Sequence, residues 1–136
     1  MPVQLLGGVF VSVTNLERSI EFYTEMLGLH CRGIEDWGDG RRGATLFFKP
    51  HPEHAALFSL AEVKGPILTS EQPAFNFKCS EIPDLHEALQ VKGCRVTELE
   101  SWDSPWNHHL MFDLFDPDGH RVNLIELVPI AVPRSK

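Results

Sequence analysis

The strongest constraint on the fold is an internal repeat, in which the second half of the chain follows the plan of the first. In the first half, the β-rich run Val9–Val13 precedes a helical pattern that begins after Asn15 and ends at Gly28. In the second half, the alternating run Phe75–Cys79 precedes a helical pattern that ends at Gly93. Equivalent positions lie about 65 residues apart, which is half of the chain.

The ends of the two halves also agree, because Leu57–Glu62 resembles Arg121–Glu126. Each half is therefore predicted to read strand, helix, strand, strand, strand. In the second half, the run Cys94–Leu99 restarts the sheet after the helix. Turn-rich stretches are expected at 33–43 and 101–108, where glycine, proline and aspartate collect.

One helix and about four strands are too few to cover both faces of a sheet. The second face needs another half, another chain or a ligand. Two sheets that curve around a shared cleft satisfy this requirement, and such a cleft is a natural site for a small molecule. The chain is predicted to be one domain over residues 1–136, with module one at about 5–63, a linker at 64–73, module two at about 74–128 and a loose tail at 129–136.

Composition excludes several classes of function. The chain has 12 Lys and Arg against 19 Asp and Glu, a net charge of −7, which gives no electrostatic support for nucleic-acid binding. No apolar run is long enough to predict a membrane partner. The three cysteines have no CxxC spacing and the N-terminus has no secretory pattern, so we expect reduced thiols and a cytoplasmic protein.

Two motifs carry a family resemblance. Residues 9–29, VFVSVTNLERSIEFYTEMLGL, and the run Phe115–His120 with its following strand resemble the vicinal oxygen chelate superfamily of glyoxalases, bleomycin-resistance proteins and extradiol dioxygenases. The resemblance implies an α+β fold of two tandem βαβββ modules, which form an open cup-shaped mixed β-sheet with the helices on its outer face. It also implies a homodimer, as in bleomycin-resistance-like members.

The resemblance further implies four positions for metal ligands, and this sequence departs from the pattern at all of them. The positions are the start of each module's first strand and a Glu on each last strand. They fall here on Gly8, Ser59, Ala74 and Asn123. None supplies the anionic or imidazole donor that a divalent ion prefers, so no metal site and no cofactor are predicted. Glu126 is expected to point away from the cup, because it lies an odd number of positions from Asn123.

Strand alternation predicts the lining of the cup, and aromatic residues in the turn-rich stretches extend it. His109, Met111 and Asp113 share one face of the strand that ends at Phe115, and Lys78 is a candidate to pair with Asp113. The predicted ligand-binding residues are Phe10, Ser12, Trp37, Phe47, Asn76, Lys78, Trp106, His109, Met111, Arg121 and Asn123.

Three functions remain open. The favoured one is a protein that binds a small organic molecule in the cup without a metal. The second is a lyase, isomerase or dioxygenase that uses a non-standard divalent-metal set, including His109 and Glu126, or acid–base chemistry by His109 and Asp113. The third is a dimerising module that binds a protein partner and no small ligand. The sequence leaves open whether the chain is an enzyme.

Overall fold

A computed structural model describes residues 2–130, which fall into two units divided between Leu68 and Thr69. The first unit contains β1 (Gly8–Val13), α1 (Leu16–Leu27), β2 (His30–Cys31), β3 (Glu35–Gly38), β4 (Arg41–Phe47) and β5 (Leu57–Glu62). Its sheet has the order β1-β5-β4-β2, and β3 also pairs with β4. The β1–β5 pair is parallel, and the β4 pairs are antiparallel.

Helix α1 begins and ends where the sequence predicts. The Asn15 side chain accepts a hydrogen bond from the Arg18 N–H at 3.0 Å. Gly28 adopts φ 70°, a left-handed conformation that favours glycine, and its N–H donates to the Thr24 carbonyl. The helix packs on β4 and β5, where Tyr23 meets Phe58 edge to face at 5.0 Å. The apolar side of the first unit is therefore the side that carries α1.

The second unit contains β6 (Asn76–Lys78), α2 (Ile82–Val91), β7 (Glu100–Asp103), β8 (Asn107–Phe115) and β9 (Arg121–Pro129). Its sheet has the order β6-β9-β8-β7, with β6 parallel to β9 and the other pairs antiparallel. Helix α2 packs on β8 and β9, and Pro83 lies in its first turn, where a missing N–H costs no helical hydrogen bond. The buried side chains between α2 and the sheet are Ile82, Leu89, Phe112, Leu114, Val122 and Leu124.

Each sheet therefore has one face covered by its own helix. We call the opposite face the helix-free face. Among residues 2–130, no helix is both long and apolar enough to span a membrane. The predicted fold class is confirmed at the level of mixed α+β units with open sheets, each built around the βαβββ plan.

Three predictions about local structure are wrong. The stretch 33–43 is a hairpin of β3 and β4, because Asp39 and Gly40 at φ 56° and 75° close a tight turn between them. The first unit thus has four strands after its helix. The stretch 101–108 is mostly the β7–β8 hairpin. In Cys94–Leu99 only Val96 forms a bridge, to Leu114, and the strand begins at Glu100.

The structure describes only the first two residues of the predicted tail at 129–136. Strand β9 extends to Pro129, which pairs with Asn107, and the Ile130 N–H donates to the Trp106 carbonyl at 2.9 Å. These backbone hydrogen bonds hold the start of the predicted tail in place. Residues 131–136 lie outside the described part of the chain.

Candidate functional site

Polar side chains collect on the helix-free face of the second sheet. Asp113 lies directly opposite Asn123 in the β8–β9 pair, and Arg121 lies opposite Phe115 two positions along. Because alternate residues of a strand share a face, Asp113, Asn123 and Arg121 lie on one side, while Phe112 and Leu114 point to α2. Register between two long strands therefore brings three polar groups together.

Asp113 is the centre of this cluster. Its Oδ2 accepts from Arg121 Nε at 3.1 Å and Nη2 at 3.0 Å, and its Oδ1 accepts from Asn123 Nδ2 at 2.9 Å. The Asp113 backbone N–H donates to Thr97 Oγ1 at 2.8 Å. Asp113 and Asn123 are each only 9% exposed. A buried carboxylate needs such partners, so the trio is held in one arrangement.

A cavity of about 240 Å³ lies over the trio. Residues 71–73 of the segment before β6 form one wall, and Thr97, Glu100 and Met111 form much of the rest. The full lining is Glu71, Gln72, Pro73, Thr97, Glu100, Met111, Phe112, Asp113, Arg121 and Asn123. The cavity combines four ionisable side chains with a few apolar ones, the kind of lining that orients a small molecule.

An aromatic pair extends this face. Trp102 on β7 lies opposite His109 on β8, and their rings stack at 3.7 Å with an angle of 3° between the planes. His109 Nδ1 lies 3.3 Å from the Trp102 carbonyl oxygen. His109 is 9% exposed and Trp102 is 48% exposed. The His109 ring is therefore buried in the stack, while the Trp102 ring is open to solvent. Trp102 lies two residues along β7 from Glu100, which lines the cavity.

The predicted site residues divide between the two units. In the first unit, Phe10 and Ser12 on β1 are exposed on the helix-free face. Trp37 meets Phe10 edge to face at 6.1 Å, and its ring lies over Gly43. Phe47 has the Arg32 guanidinium over its ring at 4.2 Å. Trp37 is thus a strand residue in contact with its own sheet, contrary to the flexible loop that we expected.

In the second unit, Met111, Arg121 and Asn123 line the cavity, and His109 lies beside it in the stack. The remaining predicted residues, Asn76, Lys78 and Trp106, do not line it. The suggested pair of Lys78 with Asp113 is wrong, because the Asp113 carboxylate is bonded to Arg121 and Asn123.

Sequence reasoning missed part of the site. Glu71, Gln72 and Pro73 belong to the predicted linker, and Thr97 and Glu100 follow the second helix. Trp102 lies in the predicted turn-rich stretch 101–108, whose aromatic residues were expected to extend the lining, but it was not among the predicted ligand-binding residues. The available signal was the even spacing of Glu100 and Trp102, which places both on one strand face once the strand is known.

Comparison with known proteins agrees with this architecture. The sequence profile described as the Glyoxalase/Bleomycin resistance protein/Dioxygenase superfamily matches residues 5–124. The chain belongs to this superfamily. None of the curated proteins compared with the chain matches it.

Solved structures of superfamily-like proteins share the fold. An integron cassette protein from the mobile metagenome of the Halifax Harbour sewage outfall is 29% identical, covering 92% of this chain and 100% of its own, with a TM-score of 0.64. Glyoxalase I of Leishmania major is 21% identical, with 91% of this chain and 87% of the glyoxalase chain covered and a TM-score of 0.71. The antibiotic-binding protein TnmS3 of Streptomyces sp. CB03234 is 22% identical, with 94% of this chain and 99% of the TnmS3 chain covered and a TM-score of 0.67.

The residues at the superfamily's metal positions do not fit a divalent ion. Strand register pairs Phe10 with Ser59 and Asn76 with Asn123, so Gly8 and Ala74 occupy equivalent places before them. A Cβ at Gly8 would lie 2.7 Å from the Leu57 carbonyl oxygen, so a ligand side chain here would require the neighbouring backbone to shift. Across residues 2–130, no three His, Cys, Asp or Glu side chains are grouped to hold a metal.

The closing-strand glutamates are also committed elsewhere. Glu126 Oε1 accepts from the Ile82 N–H at 3.3 Å, and Glu62 Oε2 accepts from the Leu16 N–H at 3.1 Å. Both carboxylates therefore cap a helix on the covered side of their sheet. The prediction that Glu126 points away from the cup face is confirmed, since its carboxylate lies on the side that carries the helix. A metal site that combines His109 with Glu126 is contradicted, because the two side chains lie on opposite faces of the sheet.

Cysteine chemistry has no support at the site. Burial raises the pKa of the Cys79 thiol to about 11, and burial also raises the pKa of Cys94. Both thiols are therefore protonated near neutral pH and weakly nucleophilic. No cysteine lines the cavity over Asp113.

Proposed function

We propose that the protein binds a small organic molecule at the cavity over Asp113, without a metal ion. The cavity supports this most directly, because ordered polar groups converge there while the superfamily's metal positions carry no suitable donors. Its volume of about 240 Å³ lies below the range of roughly 300–1,000 Å³ for drug-sized ligands. It therefore suits a fragment-sized molecule, or one polar group of a larger molecule.

Trp102 supplies the second part of the proposed site. Its ring contacts His109 on one side and is 48% exposed, so a planar ligand can stack against the open surface. Glu100 and Trp102 share a strand face and are about 7 Å apart along β7. One ligand can therefore place a ring on Trp102 and a polar group in the cavity.

The comparisons support binding as the class of function. TnmS3, one of the fold neighbours, is described as an antibiotic-binding protein, and the superfamily name includes bleomycin resistance. The superfamily name equally includes glyoxalases and dioxygenases, which are enzymes. Membership alone therefore does not favour binding over catalysis, and the proposal depends on the cavity of this chain. The expected homodimer stays a prediction, which sedimentation velocity tests.

Acid–base catalysis by His109 with Asp113 has no support in this geometry. The two residues lie four positions apart on β8, about 13 Å along the strand. The Asp113 carboxylate is bonded to Arg121 and Asn123, and His109 is bonded to Trp102. Neither side chain is placed to orient the other, so we do not propose this reaction.

A fragment screen by thermal shift tests the proposal. Planar aromatic fragments with one polar group should raise Tm in the presence of EDTA, and added Mn²⁺, Ni²⁺ or Zn²⁺ should not increase the shift. Trp102→Leu should weaken binding of the hits about tenfold, in line with the loss of one aromatic stacking contact. Val91→Ala, which truncates an exposed apolar residue on α2, is the matched control. Hits that need a metal would overturn the proposal.

A further inference from the structure

The cavity over Asp113 is lined by a side-chain acceptor, Asn123 Oδ1, that is open to a ligand. Asn123 donates through Nδ2 to the Asp113 carboxylate, which can only accept in its ionised form, so the amide orientation is chemically determined. The Oδ1 end therefore faces away from Asp113. The hydrogen bond of the Asn123 side chain within residues 2–130 uses Nδ2, and Oδ1 is not sealed from solvent, so this oxygen is open to a donor in the cavity that Asn123 lines. A group that fills the cavity satisfies this oxygen by donating to it.

The charges around the cavity favour a cationic donor. Arg121 is paired with Asp113, which neutralises both. Glu71 and Glu100 also line the cavity, and among residues 2–130 neither carboxylate has an ion-pair partner. The lining thus carries one positive and three negative charges. A bound anion would be repelled, whereas a cation would gain from both free carboxylates.

We infer that the cavity selects the protonated amine of an arylalkylamine, whose ring stacks on Trp102. Asn123 Oδ1 accepts from the ammonium group, and Glu71 and Glu100 supply the compensating charge. The short distance between Glu100 and Trp102 sets the spacer to about one or two carbon atoms. This inference rests on the proposed function and specifies its ligand class.

Three probes with one ring system separate charge from stacking. They are 1-naphthylmethylamine, 1-naphthalenemethanol and 1-naphthoic acid, which are a cation, a neutral isostere and an anion near pH 7. Isothermal titration calorimetry should give an affinity at least about tenfold higher for the amine than for the alcohol, and weakest binding for the acid. The preference should decrease as salt is raised, because the glutamates are exposed to solvent.

Paired variants test whether these carboxylates cause the preference. The double variant Glu71→Gln with Glu100→Gln should reduce the amine-to-alcohol ratio to about two or less while the alcohol still binds. The control is Glu21→Gln with Glu25→Gln, two exposed residues of α1 with the same change in net charge. The control should keep the wild-type ratio, because long-range charge is screened.

The outcomes distinguish this inference from the proposed function. If the alcohol or acid binds as tightly as the amine and Trp102→Leu weakens it, the binding site stands and amine selection is wrong. If none of the three probes binds, amine selection by this cavity is wrong, and the fragment screen decides the proposed function separately. If the control pair lowers the ratio as much as the Glu71 and Glu100 pair, the preference comes from net charge, and amine selection by this cavity is wrong.

Discussion

Glu62 and Glu126 hold the same position in the two units, and each carboxylate caps the helix of its own unit. Glu62 bonds to the Leu16 N–H at 3.1 Å and Glu126 to the Ile82 N–H at 3.3 Å. Glu62 is further bonded to Arg42 through both of its oxygens, at 2.9 and 2.8 Å. Both glutamates therefore act in folding, each on the helix-covered face of its own sheet.

The first prediction follows from this capping. Glu62→Ala should lower the free energy of unfolding by about 1 kcal/mol, the usual cost of a lost helix cap, and Glu126→Ala should cost less because its bond is longer. Chemical denaturation measures both. Neither variant should change affinity for a ligand bound at the cavity. A loss of binding with stability unchanged would instead place Glu126 in the site.

The second prediction concerns pH. Hydrogen bonds from Arg42, followed by the Leu16 N–H, hold the pKa of Glu62 below its ordinary value of 4.5. As pH falls, the unfolded state therefore takes up a proton at Glu62 before the folded state does. The stabilisation that the Glu62 carboxylate supplies is complete above about pH 4.5 and is lost as pH falls through the lower pKa of the folded state. The stability difference between wild type and Glu62→Gln should be present at pH 7 and shrink below pH 4. A difference that stays constant with pH would contradict it.

The third prediction concerns a buried hydroxyl in the first unit. Ser19 Oγ on α1 is fully buried and, among the described residues, has no hydrogen-bond partner. Ser19→Ala removes this unsatisfied group and improves helix propensity, so it should leave stability unchanged or raise it by up to about 1 kcal/mol. Thermal unfolding at matched pH checks the change. A clear loss of Tm would show that the hydroxyl is satisfied in solution.

The fourth prediction concerns the contact of Trp37 with Gly43. A Cβ at Gly43 would overlap the indole ring of Trp37, so Gly43→Ala must displace the ring. The displacement would also break the bond from Trp37 Nε1 to Glu35 Oε1 at 3.2 Å. We expect a loss of about 1 kcal/mol and a red shift of the Trp37 fluorescence, measured by difference from a Trp37→Phe background. An unchanged spectrum would contradict the contact.

The fifth prediction concerns the ion pair of the proposed site. Arg121→Leu leaves the carboxylate of Asp113, a buried residue, without its cation, and should lower stability by about 2–4 kcal/mol. Pairing it with Asp113→Asn should restore part of the loss, because the uncompensated charge is then removed. A double-mutant cycle by denaturation measures the coupling. Additive losses would show that the pair is not formed in solution.

The sequence predicts the fold better than it predicts the site. Asn15 and Gly28 are local signals, since capping and left-handed backbone depend on single residue types, and both were read correctly. The β3–β4 hairpin was missed because Asp39 and Gly40 indicate a turn without showing that Trp37 pairs back onto the sheet. Periodicity alone does not identify such a pairing.

The site depends on register and on contacts between distant segments. The sequence places Arg121 and Asp113 among the residues that line one face of the sheet, but it suggests Lys78 as the partner of Asp113. The contact of Arg121 with Asp113 depends on the β8–β9 register, which strand alternation alone does not predict. The wall formed by residues 71–73 has no periodic pattern that predicts contact with a sheet. Tertiary placement of an irregular segment is therefore the part that the sequence could not supply.

The most direct test of the account is a titration of EDTA-treated, ¹⁵N-labelled protein with 1-naphthylmethylamine, followed by NMR. The side-chain signals of Trp102 Nε1, Arg121 Nε and Asn123 Nδ2 lie at the proposed site, and Trp37 Nε1 lies in the first unit as an internal control. We expect saturable shifts at the first three signals and little change at Trp37. Shifts that appear only after a divalent metal is added, or that leave Asn123 and Arg121 unmoved, would contradict it.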